Sequence, residues 1–211
     1  MKACPVYRRR PRVTGLRECE ILETTAAMLV AHGYDRLTLD VVAAAAHVSK
    51  ATLYRRWAGK AELVIDAVGY VSAPDPARVV DTGSLRTDLL ELSCGPGGLT
   101  DTLPLAMLSA VGSAMQRDPV LFAAVTAQIT APAQRAALRA FEAGRDRGEV
   151  AADADLQVLA RVLPALSMHQ VFVLGEPLTA ERIAYLVDTV VLPACRAAAQ
   201  HPQHPHPERT D

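Results

Sequence analysis

Apolar residues recur at helical spacing along most of this 211-residue chain, and no strand-like alternation of any length appears. Leu22, Ala26, Leu29 and Val30, flanked by Ile21, Thr25 and Met28, predict a first helix over residues 16–32, with Gly33 as its natural C-terminal cap. Two short helices follow. Thr38 can cap the first, which turns Val42, Ala45 and Ala46 inward. Val48 fills the turn, Ser49 caps the second, and Leu53 and Trp57, four apart, form its inward side. Gly59-Lys60 opens a fourth helix through Leu63, Ala67, Val68 and Val71, which the Ser72-Ala73-Pro74-Asp75-Pro76 run breaks. The exposed side of the second short helix is polar and basic. A tight helix-turn-helix of this kind can push a helix end into the major groove of DNA.

The remainder also reads as helical. Helices are expected over 85–92, 103–116, 155–174 and 179–199, and over one long stretch from Asp118-Pro119 towards Arg147-Gly148. Asp118-Pro119 is a strong start signal, a capping side chain followed by proline at the first helical position. Pro132, Pro164 and Pro193 fall inside these stretches and predict irregularities there, because proline lacks the amide proton that a helix interior uses. The fold class is therefore all-α, with about nine helices. The expected organisation is a flexible basic arm (1–14), a three-helix DNA-binding domain (15–72), a second helical domain (73–200) and a disordered His-Pro tail (201–211).

Charge sharpens this division. The net charge is −1, yet residues 1–70 hold eleven Lys/Arg against seven Asp/Glu, and residues 71–211 hold eleven against sixteen. Lys2, Arg8, Arg9, Arg10, Arg12 and Arg17 lie in the first 17 positions without an acidic residue. A basic head favours a polyanion through counterion release, and the acidic body does not. Cys4, Cys19, Cys94 and Cys195 are widely spaced with no CxxC pair, so reduced thiols are expected rather than a zinc site or a disulfide framework. No signal-peptide pattern and no convincing membrane span is present, and a cytoplasmic location is expected. No nucleotide loop, Ser-His-Asp set or metal cluster stands out, and His169 is the only mid-body histidine. No catalytic residue, metal site or cofactor is therefore assigned.

At residues 38–60 the chain resembles the TetR/AcrR family of bacterial transcriptional regulators. The residues that carry the resemblance are Thr38, Val42-Ala43, Val48-Ser49, Leu53-Tyr54, Trp57 and Lys60, with Gly33-Tyr34 upstream. Further on, Asp118-Pro119, Gly148–Asp155 and Gly175-Glu176-Pro177-Leu178 resemble C-terminal domains common in that family. Two positions depart from the pattern. His47 stands at the turn position usually taken by glycine, and Trp57 stands where phenylalanine is more usual, so its indole N–H needs a partner.

Helix geometry assigns roles to the residues of the second short helix. Lys50, Ala51 and Thr52 occupy its first turn, the end that reaches base edges. Arg55 or Arg56 can donate a bidentate pair to guanine. Tyr54, Lys60 and Thr38 suit phosphates. The resemblance implies that the body binds an effector and dimerises. The last two helices carry wide apolar faces, Leu156, Leu159, Ala160, Leu163 and Leu166, then Ile183, Leu186, Val187, Val190, Val191 and Ala194, which suit a four-helix interface about a twofold axis. Gln128, Ser167, His169 and Gln170 interrupt otherwise apolar helices. Met107, Val111, Phe122, Gln128, Met168, His169 and Phe172 are the candidate effector-binding residues. The expected partners are a double-stranded DNA operator, a second copy of the chain and a small-molecule effector. Two alternatives stand beside this reading. One is a nucleoid-type DNA-binding dimer without an effector, and the other a small-molecule enzyme on a helical fold.

Overall fold

The structure, a computed structural model, describes residues 15–72 and 80–196. The expected arm, the break at 73–76 and the tail lie outside the described residues. Those described form helices and their connections, without a strand: α1 (Leu16–Arg36), α2 (Leu39–Ala45), α3 (Lys50–Arg56), α4 (Lys60–Ser72), α5 (Leu85–Cys94), α6 (Thr102–Met115), α7 (Pro119–Val125), α8 (Ala131–Asp146), α9 (Leu156–Phe172), α10 (Ala180–Leu186) and α11 (Leu192–Arg196). A π-helical segment, Thr126–Thr130, joins α7 to α8, and another, Val187–Val191, joins α10 to α11.

Both π segments stop two residues before a proline, Pro132 and Pro193. Each closes on a wide bond, Ala131 N–H to the Thr126 carbonyl and Leu192 N–H to the Val187 carbonyl. A proline ring clashes with the carbonyl four residues earlier. The widened turn accommodates it and lets the helix continue. The long helix expected from Asp118 is thus present but not uniform. Pro164 sits inside α9.

Contacts group the described residues into two compact units, 15–72 with 93–136, and 80–92 with 137–196. In the first, α1 packs against α4 and α6, and α2 against α3. Its buried side chains include Leu29, Val42, Leu53, Trp57, Val64 and Val68, together with Met107, Val111, Ala114, Leu121 and Val125. One core therefore holds the helix-turn-helix and α6–α7 together. On α1 the buried arc is Leu22, Thr25, Ala26 and Leu29, whereas Val30 is exposed, one position off that arc. Thr25 is accommodated because its hydroxyl donates to the Ile21 carbonyl at 2.7 Å. On α2 the arc is Leu39, Val42, Ala43 and Ala46, and Ala45 faces outward for the same geometric reason. Gly33 does interrupt α1, at φ 74 and ψ 166, but a further helical turn follows it to Arg36. That backbone region is essentially open only to glycine.

The second unit contains most of α5, the later part of α8, and α9 to α11. Arg147 organises its polar interior. Its guanidinium donates to Asp81, to the fully buried Asp88 and to Glu149 at 3.0, 3.1 and 2.7 Å. Glu149 accepts the Leu85 N–H, satisfying an otherwise orphaned donor at the start of α5. Gly144 lies so close to Leu85 and Val150 that a Cβ there would meet each at 3.3 Å. Val187 and Val191 are fully buried within one chain, which corrects their expected place at a subunit interface; Val190 and Ala194 lie on the exposed side. Cys94 and Cys195 are free. Burial pushes the Cys195 thiol up to about 11, so it stays protonated near neutral pH.

Candidate functional site

The helix-turn-helix is fixed from its caps inward. The Thr38 hydroxyl accepts the Val41 N–H at 3.2 Å and starts α2. The Ser49 hydroxyl accepts the Thr52 N–H at 3.2 Å and starts α3. Between them His47 adopts φ 52, a left-handed conformation and the one non-glycine example among the described residues. Leu53 and Trp57 are fully buried and set the inner face of α3. Trp57 Nε1–H donates to Asp66 of α4 at 2.9 Å, which supplies the partner that tryptophan needs at this position.

The outer side of α3 carries Lys50, Ala51, Tyr54 and Arg55, all exposed, with Thr52 partly buried beside Ser49. Tyr54 is 57% exposed, and neither it nor Arg55 makes a hydrogen bond or ion pair among the described residues. Lys50 is tied to Asp40 of α2 at 2.6 Å, a contact that raises the pKa of its amine. Arg56 is turned inward. Its guanidinium holds Glu18 of α1 and lies 5.4 Å from the Trp57 ring centre. Lys60 Nζ donates to the Tyr34 carbonyl at 3.0 Å and sits 4.2 Å over the Tyr34 ring. Of the eight residues expected at DNA, Lys50, Ala51, Tyr54 and Arg55 therefore share an open surface on α3. Thr38 caps α2, Thr52 borders the cap of α3, and Arg56 and Lys60 are engaged within the protein.

Sequence reasoning passed over several residues that build this site. Arg17 Nη2 donates to the carbonyls of Ala46 and His47 at 3.0 and 2.9 Å. Glu18, Asp40 and Asp66 each hold a residue of the recognition helix. Only the unusual His47 and the lone tryptophan signalled a need for such partners.

The candidate effector residues divide between the two units. Met107 and Val111 are fully buried in the first core, and Phe122 is exposed on α7. Gln128 lies in the first π segment, its Oε1 buried with no hydrogen-bond partner. Met168, His169 and Phe172 are exposed on α9. The Ser167 hydroxyl is also buried and unpartnered, whereas Gln170 accepts from Arg182 at 2.7 Å and donates to the Pro177 carbonyl at 3.2 Å. No cluster of three or more potential metal ligands occurs among the described residues, and none of their helices is long and apolar enough to cross a membrane.

Comparison with known proteins agrees with this arrangement. Residues 21–67 match the model of bacterial regulatory proteins of the tetR family, and residues 79–190 match that of the tetracyclin repressor-like C-terminal domain. The chain is 35% identical over 184 residues to the DNA-binding transcriptional repressor TetR of Mycobacteroides abscessus, covering 87% of this chain and 96% of that protein. It is 37% identical over 185 residues to an HTH-type transcriptional regulator of Mycobacterium bovis, covering 84% and 87%. Among solved structures it superposes on the TetR family transcription regulator SCO0332 with TM-score 0.57 at 26% identity, over 84% of this chain and 97% of that one. A TetR-family regulator from Rhodococcus sp. gives TM-score 0.66 at 20% identity, over 84% and 100%, a likeness of fold. The matches span the helix-turn-helix and the helical body alike, and the chain belongs to the TetR family of bacterial transcriptional regulators.

Proposed function

We propose that this regulator is a homodimeric repressor that reads a palindromic operator through α3 and releases it when a small apolar molecule binds the helical body. The observation that carries the reading is the open face of α3. Lys50, Tyr54 and Arg55 project from a short helix capped at its start and anchored behind by Leu53 and Trp57. Thr38, Ala51 and Thr52 border that face, and Lys60 reaches a phosphate after exchanging its contact with Tyr34. Functionally, residues 15–72 read DNA and residues 73–200 sense and dimerise.

A second copy is supported by an exposed stripe on α9. Val158, Ala165 and Phe172 recur every seven residues with Met168 between them, and Val158 is 51% exposed. Tyr185 and Val190, from the last helical stretch, are exposed as well. A seven-residue apolar repeat is what two packed helices share. Val158→Glu should therefore yield monomers in sedimentation, because the charge would be buried unpaired. An intact Val158→Glu dimer would place the interface elsewhere.

The effector reading rests on the unpartnered Oε1 of Gln128, a buried acceptor in the π-helical segment between α7 and α8. Met107, Val111 and Phe122, which belong to the same unit, are its other candidate contacts. A buried polar atom without a partner is costly, so a ligand donor there gains specificity. The test is duplex selection from random DNA, followed by competition with hydrophobic small molecules. The expected product is paired half-sites ~34–36 Å apart. Arg55→Ala should cost roughly 1–3 kcal/mol of discrimination at one guanine. Equal affinity for selected and random DNA would favour the nucleoid-type alternative.

A further inference from the structure

We infer that Arg17 and Glu18 are positioning residues for the recognition helix, and that Arg56 acts through Glu18 rather than as a base reader. This rests on the DNA-reading role of α3. Leu53 and Trp57 lie along one line of α3, and two apolar contacts on a line leave the helix free to roll about it. Consecutive residues of α1 remove that freedom. Arg17 Nη2 donates to the carbonyls of Ala46 and His47, in the turn just before α3. Glu18 accepts both Nε and Nη2 of Arg56, the last residue of α3. One tie holds the turn that leads into α3 and the other holds the last residue of this seven-residue helix, roughly 10 Å long.

The electrostatic setting marks the second tie as more than a surface pair. The side chains of Arg56 and Glu18 are only 25% and 18% exposed, and Arg56 also lies against the Trp57 ring. Lys50 and Arg55, the residues left facing outward, sit between the two ties. Their aim at a groove is set by how α3 is rolled, and an error of about 1 Å at a bidentate contact is enough to lose it.

The sign of one substitution separates positioning from reading. Glu18 is a negative charge in a DNA-facing domain. Were it only a charge, Glu18→Gln would tighten every DNA complex and free Arg56 for a phosphate. A positioning role requires the opposite for the operator alone. The experiment measures binding of the full chain to duplexes that the wild type selects from a random pool, with random-sequence DNA as the second probe. Glu18→Gln should weaken the selected duplex on the order of 10-fold, the scale of one charge-assisted hydrogen bond, while random DNA binds as well or better. Arg56→Lys, which keeps the charge but not the two-pronged geometry, should give the same pattern, with preferences lowered at all base pairs under α3.

Tighter binding of Glu18→Gln to both probes would overturn the proposal. So would an Arg56→Lys variant that loses preference at a single base pair, since that residue then reads it. If Glu18→Gln loses random DNA too, its fold has failed and Arg56→Lys decides. A wild type that selects no duplex would defeat the DNA-reading role itself, and the proposal with it.

Discussion

His47 concentrates the strain of the reading head in one residue. A side chain at φ 52 costs about 1–2 kcal/mol relative to the right-handed regions. Arg17 offsets part of that cost by satisfying the two carbonyls that this turn exposes. Because the His47 side chain is exposed, glycine would relieve the strain without losing a packing contact. His47→Gly should raise the unfolding free energy by up to about 1 kcal/mol, glycine's larger backbone entropy taking back the rest. Urea titration would show this as a higher midpoint at unchanged slope, and a lower midpoint would mean the imidazole has a role of its own. The need for an unusual backbone at position 47 was legible in the sequence, because glycine was the expected residue. The residue that steadies it was not, since Arg17 lies 30 positions away and read only as one more charge of a basic arm.

Among the elements, start signals proved more legible than interiors. Asp118 caps α7 as its sequence implied. Its carboxylate accepts the Val120 and Leu121 N–H groups at 3.0 and 3.1 Å, with Pro119 at the first position. Asp118→Ala should cost about 1 kcal/mol, seen as a lower melting temperature with the far-ultraviolet helical signal nearly intact. An unchanged melting temperature would mean that water replaces the carboxylate at no loss. The prolines were visible too, but not what the backbone does with them. A proline can kink a helix, end it or widen the turn before it, and the residues around Pro132 and Pro193 do not choose among these. The choice falls to packing, and both sites take the widened turn while Pro164 does not. The inward arcs were read one position off at Val30 and Ala45 for a similar reason. Periodicity gives the width of a face, and contacts give its centre.

At the scale of the molecule, the motif at 38–60 announced the helix-turn-helix head, and the charge difference between head and body is what the proposed division of labour rests on. The candidate effector residues were harder to place. Met and Phe side chains at helical spacing look the same whether they fill a core, as Met107 does, or stay exposed, as Met168 and Phe172 do. The shared core of the first unit leads to one more expectation. Met107, Val111 and Ala114 of α6 are buried with the side chains of α1 and α4, and covering each larger one contributes about 1.5–3 kcal/mol. A fragment ending at residue 72 should therefore lack a cooperative thermal transition. A sharp melt of that fragment near the intact protein's temperature would contradict this. The boundary proposed at residue 72 on functional grounds is not a seam in the packing. Heads of this kind cannot be exchanged between regulators as interchangeable cassettes: a graft that is to keep its operator preference must bring residues 93–136 with it, or a host body whose sixth helix presents the same apolar relief.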